Sequence, residues 1–176
     1  GAARSRRATG AAPMKNKPDI AIAVCAAAFV VVLAVSAYWD PSIRTLHVFE
    51  SVPYVVAGVL CLRRIPFGYA LAVVSGAFWL WMAGFLTTFV RNGFERLPMV
   101  MHTGTVDRLD LLIAVPAAIA AGGLVVFAAL AYAGRPGKSW SDVLSWAAAV
   151  VVVPLFFLGI FAAFAPRYLG MFEKVF

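Results

Sequence analysis

His47 and Glu50 stand three residues apart, the spacing that brings two side chains together on one face of a helix. Arg44 lies one turn before His47, and Ser51 and Tyr54 continue the same side. On a helical wheel these residues, with Gly58 and Cys61, fall within about 120°. An imidazole beside a carboxylate can hold and pass a proton, ligate a metal, or make an axial bond to haem. The sequence therefore offers three kinds of chemistry at one place.

The metal reading takes His47, Glu50 and His102, with Asp40, Asp107 and Asp110 as further oxygen donors. Mixed histidine and carboxylate ligands suit divalent zinc, iron or manganese. The cofactor reading rests on His47. Leu46-His47-Val48, followed by an apolar run and Gly58, resembles the first helix of several small membrane families, haem-handling or uncharacterised. Asp110, six residues before Pro116, is similar to a later helix in some of them. The shared residues are common in membrane helices and fix no family, and an extra apolar span separates the two matching parts. The resemblance implies a single axial ligand, since a second intramembrane histidine is missing.

Enzyme motifs give little. There is no Gly-rich phosphate loop, no Ser-centred nucleophile elbow and no HExxH. Ser51 with His47 and Glu50 supplies the residue types of a triad. All three lie on one helix, one turn apart, which does not place serine, histidine and acid in relay order.

The element that carries this face belongs in lipid. Of 176 residues, 63% are hydrophobic and only 13% charged, against about 25% charged in a soluble domain. Five apolar stretches, at 19–38, 43–62, 67–90, 109–133 and 143–165, are each near the roughly 20 residues that cross a bilayer. They predict an all-α, polytopic membrane bundle of five helices, with a basic, disordered tail over 1–18 and a short C-terminal tail over 166–176. Residues 1–13, which precede Met14, are set apart from the folded part. Two cysteines, Cys25 and Cys61, lie inside spans and predict no disulfide framework.

The net charge of +7 does not point to nucleic acid. Nine of the 15 basic residues lie in the N-terminal tail, the Arg63-Arg64 turn and the Arg135–Lys138 turn, all on one side of a five-span protein. Arg44, Arg91, Arg96, Arg108, Arg167 and Lys174 fall on the other. That asymmetry predicts a cytoplasmic N-terminus and an extracytoplasmic C-terminus. The first span also resembles a secretory signal, with Val35-Ser36-Ala37 before Tyr38 suiting signal peptidase; its reading here is an anchored helix.

Depth makes Glu50 the residue that demands an explanation. Counted from Pro41, it lies about 13 Å into its helix at 1.5 Å per residue. An isolated carboxylate there costs about 3 kcal/mol, so it must be protonated, paired with an arginine such as Arg44, or open to water. A proton-coupled or small-solute permease would use such a group. In the third span Gly68, Ala72, Gly76, Leu80, Gly84 and Thr88 recur every four residues, and Ala114, Ala118 and Gly122 do so in the fourth. Such faces let helices approach closely and predict other membrane subunits or a second copy as partners. Together these features lead to the expectation of a small integral membrane subunit or accessory protein. A permease using Glu50, or a haem or metal protein using His47, is the alternative. Trp79 and Trp81 are expected as packing or wall residues, and Arg91–Arg108 as the one long loop.

Overall fold

A computed structural model describes residues 17–106 and 108–172. Five of its helical segments are long and apolar enough to cross a membrane. They contain α1 (Lys17–Trp39), α2 (Arg44–Leu62, entered through a 3₁₀ turn at Pro41–Ile43), α3 (Pro66–Trp81, its span running on to Leu86), α6 (Ala114–Ala133, its span starting at Leu109) and α7 (Trp140–Phe164). The protein is thus an all-α helical bundle of multi-pass membrane type, with apolar side chains exposed toward lipid, among them Val24, Val31, Val55, Val151 and Leu155.

Helix α1 packs on α2 and α6, and α3 sits among α2, α6 and α7. Aromatic rings fill the centre. Phe29 lies 4.2 Å from Tyr54 and 4.9 Å, edge to face, from Trp79, geometries that add about 1 kcal/mol per pair beyond their burial. Trp81 is half-buried against this core.

Small residues of α3 are consumed inside the bundle. A Cβ on Gly68 would stand 2.6 Å from Leu60 Cβ and 2.8 Å from Cys61 N; one on Gly76 would stand 2.9 Å from Val125 and 3.0 Å from the Ala121 carbonyl. These glycines seat α3 on α2 and α6. At Gly68, Ala72 and Gly76 the small face expected to meet a partner is packed within the chain itself. Gly84 and Gly122 have open space beside them.

The connection expected as a long loop is mostly helix. Met82–Leu86 continues α3 as a π turn, Thr88 takes a left-handed φ of 54°, and α4 (Phe89–Thr103) follows. Phe89, Val90, Gly93, Leu97 and Val100 form the less exposed side of α4, while Arg91, Glu95 and Met101 face out. Gly93 is required, because a Cβ there would stand 2.7 Å from the Leu111 carbonyl. The span expected over 109–133 is divided into α5 (Leu109–Leu112) and α6. Pro116 explains the break, since its ring crowds the carbonyl of Leu112 and offers it no N–H.

Of the tails, Lys17 and Pro18 belong to α1 rather than to disordered chain, and Pro166–Tyr168 forms a 3₁₀ turn before α8 (Leu169–Phe172). Residues 1–16 and 173–176, and with them Lys174, lie outside the described residues, as does Asp107.

Candidate functional site

The turn between α1 and α2 is built by Asp40 and Pro41. Asp40 Oδ1 accepts from the Ser42 hydroxyl at 2.6 Å and from the Ser42 N–H at 2.9 Å. The hydroxyl first, then the N–H, hold this carboxyl below the usual aspartate range, because both donors favour its charged form. With so tight a turn, residues equidistant from it on α1 and α2 come face to face.

His47 is where that matters. Its Nδ1 lies 2.8 Å from Glu50 Oε2 on its own helix, as the spacing predicted. Its Nε2 lies 3.1 Å from Ser36 Oγ on α1. An ionised Glu50 makes Nδ1–H the donor. With the ring neutral, the Ser36 hydroxyl then donates to Nε2. Ser36, His47 and Glu50 thus form one hydrogen-bonded line across two helices.

Glu50 is 4% exposed, yet the ion partner expected from Arg44 is not the one observed. Arg44 is exposed and its Nε donates to the Ala37 carbonyl at 3.4 Å. One turn nearer the helix end, its long side chain reaches back to the rim rather than down into the bundle. The side chain that meets the Glu50 carboxylate is His47 instead.

The rest of the stripe divides by depth. Ser51 returns its hydroxyl to the Val48 carbonyl at 2.7 Å and takes no part in the line. Tyr54, fully buried, donates to the Ser75 carbonyl on α3 at 3.3 Å. Gly58 lies against Ala26, and Cys61 is sealed beneath Gly68. Cys25 packs on Gly123, whose added Cβ would stand 2.8 Å from its Sγ.

Ser36, His47 and Glu50 all border a cavity of about 460 Å³. Its walls are largely apolar, with Leu33, Leu46, Trp79 and Phe161 contributing, and the π turn supplies Met82, Ala83 and Leu86. Single π turns are found disproportionately at functional sites. The exposed Asp40, Leu109 and Asp110 form the rim. Asp110 is gripped by Arg108 through two bonds, of 2.9 and 2.7 Å. Three carboxylates therefore line the cavity, while neither lysine nor arginine does so among the described residues.

The metal grouping is not assembled. Among the described residues no three of His, Cys, Asp and Glu stand close enough to share an ion. His102 is exposed in the last turn of α4 and is not part of the cavity wall. A haem or metal bound through His47 Nε2 would have to displace the Ser36 hydroxyl.

Sequence reasoning found His47 and Glu50 and missed Ser36. The available signal was hairpin register: Ser36 and His47 are nearly equidistant from the Pro41-Ser42 turn. No protein-family model, curated protein or solved structure matches the chain.

Proposed function

We propose that this protein binds a small, mostly apolar molecule, neutral or cationic, inside the bilayer, and that His47 and Glu50 exchange a proton as it binds. Such a site serves a proton-coupled carrier of lipophilic solutes. The observation that carries the reading is the cavity's charge: apolar walls, carboxylates at Asp40, Glu50 and Asp110, and no lining arginine or lysine among the described residues. A pocket of this kind selects by apolar fit and orients its occupant through a few polar groups.

Among the three carboxylates Glu50 is the one to exchange a proton. Asp40 is engaged by Ser42 and Asp110 by Arg108, whereas Glu50 shares its hydrogen bond with an imidazole, a group able to carry a proton in either direction. A cation entering beside Glu50 competes with the proton that the pair holds. The accessory-subunit reading drew on small-residue faces of which Gly68 and Gly76 are used within the bundle while Gly84 and Gly122 stay open; the cavity is the feature this proposal builds on.

The basic residues further suggest that the Arg64 turn and the N-terminus face the cytoplasm, so that the cavity opens on the opposite side.

A matched pair of probes tests the binding reading. Tetraphenylphosphonium and tetraphenylborate share shape and apolarity but differ in charge sign. Purified full-length protein should quench its Trp79 fluorescence with the cation and bind the anion at least tenfold more weakly. Glu50→Gln should reduce cation affinity about tenfold, the value of a single lost charge contact near 1.4 kcal/mol. Equal binding of both ions, or no effect of Glu50→Gln, would overturn the proposal.

A further inference from the structure

We propose that Ser36, His47 and Glu50 form a nucleophilic relay that hydrolyses an ester with an apolar acyl part. The inference rests on the reading that the cavity admits a small apolar molecule, and adds that the molecule reacts there. The order of contacts is the first support. Serine hydroxyl to histidine Nε2 at 3.1 Å, and histidine Nδ1 to carboxylate at 2.8 Å, is the arrangement in which an imidazole takes a proton from serine while an acid holds its tautomer. The separation of Ser36 from the other two onto α1 removes the objection to Ser51.

How Ser36 spends its hydroxyl is the second support. A serine or threonine within a helix ordinarily bonds back to a carbonyl of the preceding turn. Ser51 does so to Val48, Thr103 to Met99 and Ser145 to Ser141. Ser36 instead directs its oxygen to His47, and all three members border the same cavity.

The reaction balances with water as the co-reactant. Ser36 Oγ attacks the ester carbonyl carbon as His47 Nε2 takes its proton. The C–O bond to the alcohol then breaks, and the leaving oxygen takes that proton from Nε2. Water entering past the Asp40 and Asp110 rim gives a proton to Nε2 as its oxygen attacks the acyl carbon. Collapse releases the acid and returns the proton to Ser36. Ester and water become acid and alcohol, and Glu50 holds the imidazole by its Nδ1 and stabilises the imidazolium. The Thr87 hydroxyl is directed at the Met82 and Ala83 carbonyls, which leaves Trp39 and Trp79 as the lining residues whose N–H could serve the oxyanion. The carboxylate lining selects an ester whose alcohol part is neutral or cationic.

The experiment treats full-length protein in nanodiscs with an alkyl fluorophosphonate, an apolar neutral probe that phosphonylates an activated serine, and maps the adduct by mass spectrometry. The expected result is one adduct, on Ser36. Ser36→Ala should abolish it, Ser51→Ala should leave it unchanged, and His47→Gln should slow labelling about a hundredfold, the usual worth of a general base. Peptide mapping of the unsubstituted protein identifies the serine even if Ser36→Ala fails to fold. An unlabelled protein that still binds tetraphenylphosphonium overturns the relay and leaves the binding reading standing; failure of both overturns both. An adduct elsewhere, or a mature chain beginning at Tyr38, also overturns the relay.

Discussion

Each end of the bundle holds a buried acid, and the two ends satisfy their acids in opposite ways. At the end formed by the start of α1 and the turns after α2 and α6, Asp19 is 5% exposed and Asp142 3%. Tyr69 donates to Asp19 at 2.8 Å and Arg64 stands 3.5 Å from it. Asp142 accepts from the Ser139 N–H at 2.8 Å, with Arg135 at 3.6 Å. Arg135 also lies 5.7 Å over the Tyr69 ring. Every acid there has an arginine, and every arginine comes from a turn. This is a latch that ties α1 to the two turns. At the Asp40 end, Glu50 is hydrogen-bonded by a histidine, and that histidine leans on a serine facing a cavity. An arginine holds its proton permanently and so fixes a fold; a histidine gives its proton up and so can run a cycle.

Substitutions can break this contrast or sharpen it. The largest loss of stability should come from Asp142→Ala, which removes the N-terminal partner of α7 and strands the half-buried Arg135. It should cost about 2–3 kcal/mol, read as a lower thermal midpoint in detergent, with tetraphenylphosphonium binding retained below that midpoint. Asp19→Asn should cost less, about 1 kcal/mol, because Tyr69 can still donate to the amide oxygen. Glu50→Gln should be milder still, within about 1 kcal/mol, since the His47 donor keeps an acceptor. Its effect appears in cation affinity instead. Should Glu50→Gln destabilise as much as Asp142→Ala while binding persists, both ends are architecture and the contrast fails.

The smallest effect belongs to Asp40. Its carboxyl titrates below the usual aspartate range because Ser42 hydrogen-bonds its charged form. The stabilisation is therefore full above that range and is lost as the pH falls through the folded value. Asp40→Asn should show a slightly lower thermal midpoint near neutrality and converge with the parent protein in acid. A difference that grew on acidification would reverse the assigned sign.

Much of the fold was legible because the bilayer imposes simple demands. Five apolar runs of spanning length became five spanning segments, and boundaries moved by only a few residues at α1, α2 and α7. Helix α4 was hidden because its polar side reads as a loop when charges are counted, although Phe89, Gly93 and Leu97 already recur every four residues. The π turn at Met82–Leu86 had no signal at all. Arg44 was offered as one partner for Glu50 because it shares the polar face, which ignores the pull of the rim on a long cationic side chain.

Within the site, the sequence by itself determined the His47–Glu50 pair and the inward direction of the deeper stripe at Glu50, Tyr54, Gly58 and Cys61. Both follow from the helix repeat, which makes residues three apart neighbours wherever the helix is placed. Tertiary structure alone decided that Ser36 rather than Ser51 completes the line, that an arginine guards Asp19 and Asp142 but not the His47–Glu50 pair, and that the small face of α3 is spent inside. Those outcomes depend on how α1 and α2 register across the Asp40 turn and on how closely glycines let helices approach. Contacts between helices are set by packing, whereas contacts within one are set by its pitch.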